Sequence, residues 1–267
     1  MTWAILGGVV VVVGVMVVLF VNRDQTPGPT SATGAPGASQ AAIAKVQNVP
    51  ASTLATIGVP SDITPPVHLA SDTPPVTVDG KPAIVYVGAE YCPFCAAERW
   101  AVVVALSRFG TFTGLGTTTS SSSDVHPDTP TFTFHGATYS SPYVTFSSAE
   151  TQTRTGQPLE TPTAQQQRLF TTYDVAALTG KDGAIPFVMV GNLYMWAGVS
   201  YSPDVLTDNT FDQIASALAD PTSPIAQGID GTANQITAMI CQLTGDQPAE
   251  VCSTSSIQHA ESSLPSA

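Results

Sequence analysis

The sequence predicts an α/β fold, and three observations indicate this class. An apolar run at residues 83–88 leads through a short motif into a long helical pattern. Two further apolar runs flank the pair Gly191-Asn192, an arrangement that is typical of a β-hairpin. Helical patterns at residues 210–218 and 225–243 follow. We therefore expect a buried strand and a hairpin packed against helices.

The first 45 residues predict a membrane anchor and a tether. Every residue from Ala4 to Val21 is apolar or glycine, a run long enough to cross a bilayer and longer than the apolar core of a signal peptide. No small-x-small cleavage signal follows at once, so we interpret residues 3–21 as a retained transmembrane helix. A buried helix of a soluble fold is the alternative, and the absence of a polar face argues against it. Residues 22–45 are rich in Pro, Gly, Ser and Thr and predict a flexible linker.

The distribution of basic residues bears on which side of the membrane the domain lies. Arg23 alone slightly favours a cytoplasmic domain, because no basic residue precedes the anchor. The next basic residues are only Lys45 and Lys81, a scarcity that is typical of a translocated segment. We therefore predict a single-pass protein of the cell membrane with its domain on the extracytoplasmic side.

The charge of the chain argues against nucleic acid as a partner. It has 8 Lys and Arg against 20 Asp and Glu, which gives a net charge of −12. No cluster of basic residues occurs anywhere in the sequence. A nucleic-acid-binding surface needs such a cluster to neutralise phosphates, so we predict no nucleic-acid partner.

Residues 46–252 are predicted to form the folded domain, and residues 253–267 a disordered polar tail. The elements predicted within the domain are, in chain order, a helix at residues 52–57, a hairpin between residues 76–78 and 83–88, a helix at 96–109, irregular β-structure and loops at 111–153, a helix at 161–172, and the hairpin and helices named above. The run at residues 83–88 is apolar throughout, which predicts a strand buried on both faces.

The tetrapeptide Cys92-Pro93-Phe94-Cys95 lies where the buried strand gives way to a helix. Two cysteines three residues apart on a first helical turn share one face and can close a small disulfide. The helix N-terminus stabilises a thiolate, so Cys92 is predicted as the nucleophile, with Pro93 at the first helical position. Cys95, one turn further on, is predicted as the more buried resolving thiol. Tyr91 is expected to flank the sulfur, where it either shapes a substrate groove or simply packs.

Two other interpretations of Cys92 and Cys95 stay open. They could form a stable structural disulfide in an inactive domain. A metal site is a weaker alternative, since it needs two more ligands. No paired spacing occurs among the four histidines, which are His68, His126, His135 and His259.

The second cysteine pair, Cys241 and Cys252, is predicted to form a structural disulfide. The alternative is that this pair exchanges disulfides with Cys92 and Cys95 and so restores their redox state. No helix N-terminus that would activate a thiol is evident near Cys241 or Cys252, however. Four cysteines in an extracytoplasmic domain thus predict one reactive and one structural disulfide. Neither a metal nor a cofactor is required.

Several segments together resemble the thioredoxin superfamily: the strand, Ala89-Glu90-Tyr91-Cys92-Pro93-Phe94-Cys95, the long helix, and Ile185-Pro186 at the start of the Gly-Asn hairpin. Over about residues 46–252 the chain also resembles the membrane-anchored group known as domain-of-unknown-function family 929. That resemblance includes Tyr173-Asp174, Tyr201-Ser202-Pro203 and the run at residues 236–248. The superfamily resemblance implies a thioredoxin-like three-layer sandwich, here with an extra β/loop insertion and C-terminal helices and preceded by the transmembrane helix.

The superfamily resemblance implies a substrate groove that spacing alone does not reveal. In that superfamily the bond before the corresponding proline is cis and packs against the two sulfurs. The bond between Ile185 and Pro186 is therefore expected to be cis. The residue before that proline offers its backbone to an extended substrate, so Ile185 and Pro186 join Tyr91 as residues of the implied groove.

The chain departs from the superfamily at two positions. A buried acid is usual where this chain has Tyr86, and a basic residue often occurs where it has Ala96. The acid helps to move protons to and from the resolving thiol. Either Glu90 or Glu98 could substitute for it, but we expect both carboxylates to be solvated at the surface.

These observations predict a membrane-anchored, extracytoplasmic thiol–disulfide oxidoreductase. Its expected substrates are the thiols and disulfides of exported proteins, with a redox partner in the membrane as a further candidate. The direction of exchange stays open between oxidase, isomerase and reductase. The alternative is a non-catalytic thioredoxin-like module that binds a partner through the groove beside Pro186 and whose disulfides are structural.

Overall fold

A computed structural model of the protein describes residues 39–266. The predicted transmembrane anchor at residues 3–21 lies outside the described residues, as does most of the predicted linker at residues 22–45. Within the described part of the chain, no helix is both long enough and apolar enough to cross a membrane.

The described residues form nine α-helices, one 3₁₀ helix and ten strands. In chain order they are α1 Gln40–Gln47, α2 Ala51–Ile57, β1 Val67–His68, β2 Thr77–Val78, β3 Lys81–Gly88, α3 Pro93–Leu106, β4 Thr111–Thr113, β5 Gly116–Thr119, β6 Pro130–Thr133, β7 Thr138–Ser140, β8 Thr145–Glu150, α4 Ala164–Tyr173, α5 Ala176–Thr179, β9 Phe187–Val190, β10 Tyr194–Ala197, a 3₁₀ helix at Pro203–Leu206, α6 Phe211–Ala217, α7 Pro224–Thr244, α8 Ala249–Cys252 and α9 Ser255–Ser262.

The main sheet has six strands, with β3 at its centre. The strand order is β1-β10-β9-β3-β2, and β8 also pairs with β3. β8 runs parallel to β3, so Gly88 lies opposite Glu150, whereas the other pairs are antiparallel. The prediction of a fully buried strand at residues 83–88 is confirmed, and so is the hairpin around Gly191-Asn192. β4 pairs with β7 and β5 with β6 in two small antiparallel sheets.

Helices pack on both faces of the main sheet. Successive side chains of β3 point to opposite faces, so this strand contributes to a core on each side. Ile84 and Tyr86 belong to a large core that includes Trp100 of α3. Val85 belongs to a smaller core on the other face, against which Phe170 of α4 packs. The sequence correctly predicted α3 as a largely buried helix.

Two terminal segments differ from the prediction. Helix α1 begins at Gln40, inside the predicted flexible linker, and it buries Ala42, Ile43 and Val46. Helix α9 occupies most of the predicted disordered tail and buries Ile257. Both predictions were wrong over these helices. A polar segment still folds when a few apolar side chains share one helical face and reach an existing core.

A disulfide bond ties α7 to α8. It joins Cys241 to Cys252, whose Cα atoms lie 5.5 Å apart and whose side chains are fully buried. The predicted bond is confirmed.

Removal of this disulfide is expected to lower the free energy of unfolding by about 2–3 kcal/mol, because the bond closes a short loop in the unfolded chain. The variants are Cys241→Ala, Cys252→Ala and the double variant, compared by urea unfolding. The double variant should match either single variant, since each change breaks the same bond. If the stability lost by the double variant instead equals the sum of the losses of the two single variants, the effect comes from side-chain packing rather than from the bond.

Candidate functional site: the Cys92–Cys95 pair

Cys92 caps the N-terminus of α3. Its backbone is extended, and its Sγ accepts a hydrogen bond from the backbone N–H of Cys95 at 3.3 Å. Pro93 takes the first helical position, where no hydrogen bond within the helix requires a backbone N–H. Both thiols are free, and Cys92 is 5 % exposed whereas Cys95 is fully buried. The predicted positions of the two sulfurs are confirmed.

The two thiols differ in acidity. The hydrogen bond from the Cys95 side chain lowers the pKa of Cys92, the N–H of Cys95 and the charge of Arg99 act in the same direction, and burial opposes them. Burial raises the pKa of Cys95, and the hydrogen bond to Cys92 raises it further. Cys92 therefore loses a proton first, and the thiolate is the form that attacks disulfides.

The opposite wall of the site is the start of β9. The Ile185–Pro186 peptide bond is cis, as the superfamily resemblance implied. The Sγ of Cys92 lies 3.6 Å from the carbonyl oxygen of Ile185 and can donate a weak hydrogen bond to it. Ile185 is half-buried and Pro186 is buried. The groove role of these residues stays a prediction.

Tyr91, the residue before Cys92, borders a cavity of about 470 Å³. The other walls are residues 121–124 and 154–156, together with Gln152. The carbonyl of Tyr91 accepts a hydrogen bond from the N–H of Ser121 at 2.8 Å, which fixes this wall to the cysteine turn. Burial raises the pKa of the Tyr91 hydroxyl, and the nearby Cys92 adds to this shift.

A buried ion pair lies behind the cysteines. Arg99 Nε donates to Glu150 Oε1 at 2.8 Å, and Arg99 Nη2 donates to Glu150 Oε2 at 2.7 Å. Both side chains are 0 % exposed. Glu150 also accepts a hydrogen bond from the N–H of Phe134 at 3.4 Å. The guanidinium carbon lies 5.9 Å from the ring centre of Tyr86.

The ion pair is linked to the cysteine turn through one carbonyl. Arg99 Nη2 donates to the carbonyl oxygen of Ala89 at 2.7 Å, and the N–H of Cys92 reaches the same oxygen at 3.3 Å. The sequence did not reveal this pair. The available signal was the pair Glu98-Arg99 in a helix that is apolar elsewhere, since a buried charge requires a partner.

Glu98 is buried rather than solvated. It accepts hydrogen bonds from Trp196 Nε1 at 3.0 Å and from both the N–H and the hydroxyl of Ser200, at 2.9 and 3.1 Å. Burial raises its pKa to about 7. The expectation of a surface carboxylate was wrong, because the donors that satisfy Glu98 come from β10 and the residues after it. Glu90 is half-buried, and its N–H donates to the carbonyl of Gln152.

His126 and His135 make contacts with different partners. Within residues 39–266 no three His, Cys, Asp or Glu side chains are grouped so as to hold a metal ion. His135 shares a hydrogen bond with Glu160 at 2.8 Å. His126 lies edge-on to the ring of Phe94, with the ring centres 6.0 Å apart.

The fold and the site together define a mixed α/β protein with an asymmetric cysteine pair at a strand–helix junction. The family described as "Domain of unknown function (DUF929)" matches residues 70–242, and the chain belongs to this family. The family resemblance drawn from the sequence is thereby confirmed, whereas the superfamily stays a prediction. Comparison with curated proteins and with solved structures gave no match.

Proposed function

We propose that this chain is a thiol–disulfide oxidoreductase of thioredoxin-like fold, anchored in the membrane and acting on exported proteins outside the cytoplasm. The asymmetry of the cysteine pair carries the proposal. Cys92 keeps 5 % of its surface exposed and has a lowered pKa, whereas Cys95 is fully buried and has a raised pKa. A nucleophile and a resolving thiol need this difference.

The fold supports the same assignment. The cysteine turn follows the central strand β3, which has a parallel neighbour, β8, on one edge and the β9–β10 hairpin on the other. Helices pack on both faces of the sheet, as in a three-layer sandwich. Within residues 111–153, the two small sheets formed by β4 to β7 would be the extra β/loop insertion, whereas β8 belongs to the main sheet. The proposed location rests on the apolar run at residues 3–21 and on the scarcity of basic residues after it.

The exchange chemistry uses sulfur alone. The Cys92 thiolate attacks one sulfur of a substrate disulfide, so a Cys92–substrate bond forms while the other substrate sulfur leaves as a thiolate and takes up a proton. Cys95 then loses its proton and attacks Cys92, which forms the Cys92–Cys95 disulfide and releases the second substrate thiol. Two electrons pass from the pair to the substrate, and no cofactor is required.

The direction of net transfer depends on the reduction potential of the pair relative to its partner. The reverse of the two steps forms a disulfide in a reduced substrate. An oxidising compartment favours oxidation or isomerisation of exported proteins. Net reduction would instead need a membrane redox partner that returns electrons to the Cys92–Cys95 disulfide.

A defined peptide disulfide tests the proposal. A peptide with one cysteine, activated as a mixed disulfide with 5-thio-2-nitrobenzoate, is added to the reduced protein. The Cys95→Ser variant is expected to retain the peptide as a stable adduct on Cys92, because the resolving thiol is absent. The wild-type protein should release the peptide and form the Cys92–Cys95 disulfide. Mass spectrometry of the intact protein and of its tryptic fragments distinguishes these products.

Cys92→Ser is the matched control. It leaves only the buried thiol, so adduct formation should be at least about tenfold slower than in Cys95→Ser. Equal adduct formation in the two variants would contradict the proposed roles. If, in addition, the Cys92–Cys95 bond resisted dithiothreitol as strongly as Cys241–Cys252, a partner-binding module with structural disulfides would be the better description.

A further inference from the structure

A well-fixed loop, residues 120–129, stands beside the cysteine pair. The N–H of Ser120 donates to the carbonyl of Thr129 at 3.0 Å, and the N–H of Thr129 donates to the Ser120 hydroxyl at 2.9 Å. The N–H of Ser121 donates to the carbonyl of Tyr91 at 2.8 Å. Ser120 and Thr129 are buried, whereas most residues between them are exposed. The loop is therefore held at its base and presents its tip to solvent next to Cys92.

The loop and the cysteine motif concentrate exposed apolar surface at this point. Three large apolar side chains are exposed among the described residues, namely Phe94 at 37 %, Val125 at 68 % and Leu178 at 39 %. Phe94 lies inside the cysteine motif, and its ring contacts that of His126, the neighbour of Val125. Clustered apolar side chains at a surface mark a binding site, whereas a single one such as Leu178 is ordinary.

Space for an apolar side chain lies next to this cluster. Residues 125–130 form one wall of a cavity of about 240 Å³, and residues 206–209 form the opposite wall. On its other side the loop borders the larger cavity next to Tyr91. The loop thus separates two recesses, one of which is bordered by Tyr91, the residue before Cys92.

The charges around the loop disfavour an acidic ligand. Asp124 lies in the loop, Asp204 lies 3.5 Å from the ring nitrogen of His126, and Asp208 lines the smaller cavity, and all three are exposed. The nearby cation, Arg154, is already paired with Asp128 at 2.5 Å. Like charges brought together in an interface cost affinity, so a neutral or basic segment fits this rim better than an acidic one.

We propose that residues 120–129 form a substrate-selecting loop for Cys92. The substrate is an extended polypeptide segment with a large apolar side chain next to its cysteine and no acidic residue there. Val125 and Phe94 contact that side chain, and the cavity beside Tyr91 receives the remainder of the segment. This inference deepens the proposed function and depends on it.

Three matched peptides test the selection. They are identical except for the residue after the cysteine, which is Leu, Gly or Asp, and each is activated as the mixed disulfide with 5-thio-2-nitrobenzoate. Attack by Cys92 on the peptide sulfur forms the peptide–protein disulfide and releases the coloured thiolate, which reports the second-order rate constant. In the wild-type protein we expect the Leu peptide to react about tenfold faster than the Gly peptide, and the Asp peptide slowest.

Variants assign this preference to the loop. Val125→Ser is expected to reduce the ratio between the Leu and Gly peptides to roughly twofold, because it removes apolar contact surface. Val125→Leu should preserve the wild-type ratio. Leu178→Ser is the matched control, since it removes an exposed leucine far along the chain from the cysteines, and it should leave the ratio unchanged.

The outcomes separate this inference from the proposed function. If no peptide reacts faster with the wild-type protein than with Cys92→Ser, the proposed function fails and the selection fails with it. Equal rates for the Leu and Gly peptides in the wild-type protein would leave exchange intact and overturn the selection. A wild-type ratio retained by Val125→Ser would also overturn the role of the loop.

Discussion

Replacement of Glu150 by Gln is expected to lower the free energy of unfolding by about 3–5 kcal/mol. The substitution keeps the size of the side chain but removes its charge. Arg99 then stays fully buried with no counter-charge, and a guanidinium cannot escape by losing its proton. Urea unfolding of the wild-type and variant proteins at neutral pH measures the loss.

Two controls make this expectation specific. Asp128→Asn weakens the ion pair with Arg154, whose side chains are 58 % and 34 % exposed, and should cost less than about 1 kcal/mol. The double change Arg99→Met with Glu150→Leu replaces both charges by apolar groups and should recover most of the stability lost by Glu150→Gln. A small loss for Glu150→Gln, similar to that for Asp128→Asn, would mean that Arg99 is not held in a dry environment.

The stability of the protein is expected to fall as the pH rises from about 4 to about 8, and Asp230 is a principal cause. Asp230 is fully buried in α7, and neither of its carboxyl oxygens accepts a hydrogen bond from the described residues. Burial raises its pKa to about 8, although the charge of Arg108 opposes this shift. Arg108 itself donates to the side chains of Asn234 and Thr237, both at 3.2 Å.

The sign of the pH effect follows from proton counting. The pKa of the Asp230 carboxyl is 3.8 before the shift and about 8 in the folded protein. Between these values the folded state keeps a proton that the unfolded state has lost, so its stability declines by up to about 1.4 kcal/mol per pH unit. Glu98, whose pKa is raised to about 7, adds to the decline at lower pH.

Asp230→Asn should make this decline shallower, because the amide does not ionise and only the contribution of Glu98 remains of the two. We expect the variant to be more stable than the wild-type protein at pH 8, by about 2 kcal/mol or more, and to differ little from it at pH 4. Urea unfolding at pH values between 4 and 8 gives both curves. Asp220→Asn removes a fully exposed carboxylate and should leave the slope between pH 5 and pH 8 unchanged. Parallel curves for wild type and Asp230→Asn would show that Asp230 is ionised in the folded protein.

The local parts of the site could be predicted from the sequence. An apolar strand, a cysteine at the first helical turn and a Gly-Asn hairpin each depend on neighbouring residues, and all three occur as expected. The position of Cys95 beneath Cys92 follows from helical spacing alone.

The parts that escaped prediction depend on distant contacts. Glu150 ends β8, a strand with only partly buried residues over most of its length, in a segment rich in Thr and Ser that gives no clear strand signal. Its pairing with β3 brings it beside Arg99, 51 residues earlier in the chain. Glu98 likewise finds its donors about a hundred positions away, at Trp196 and Ser200. A carboxylate without visible partners in its own segment is usually solvated, so only the fold reveals the exceptions at Glu98 and Glu150.

The carbonyl of Ala89 couples the buried ion pair to the cysteine turn. One oxygen accepts from both the guanidinium of Arg99 and the N–H of Cys92, so the packing of the core and the shape of this turn depend on the same atom. A change of Arg99 or Glu150 alone would therefore act both on folding and on the position of the Cys92 backbone. A paired apolar replacement would restore the packing but not the hydrogen bond to Ala89. Two fully buried charges thus help to fix the backbone that carries the Cys92 sulfur.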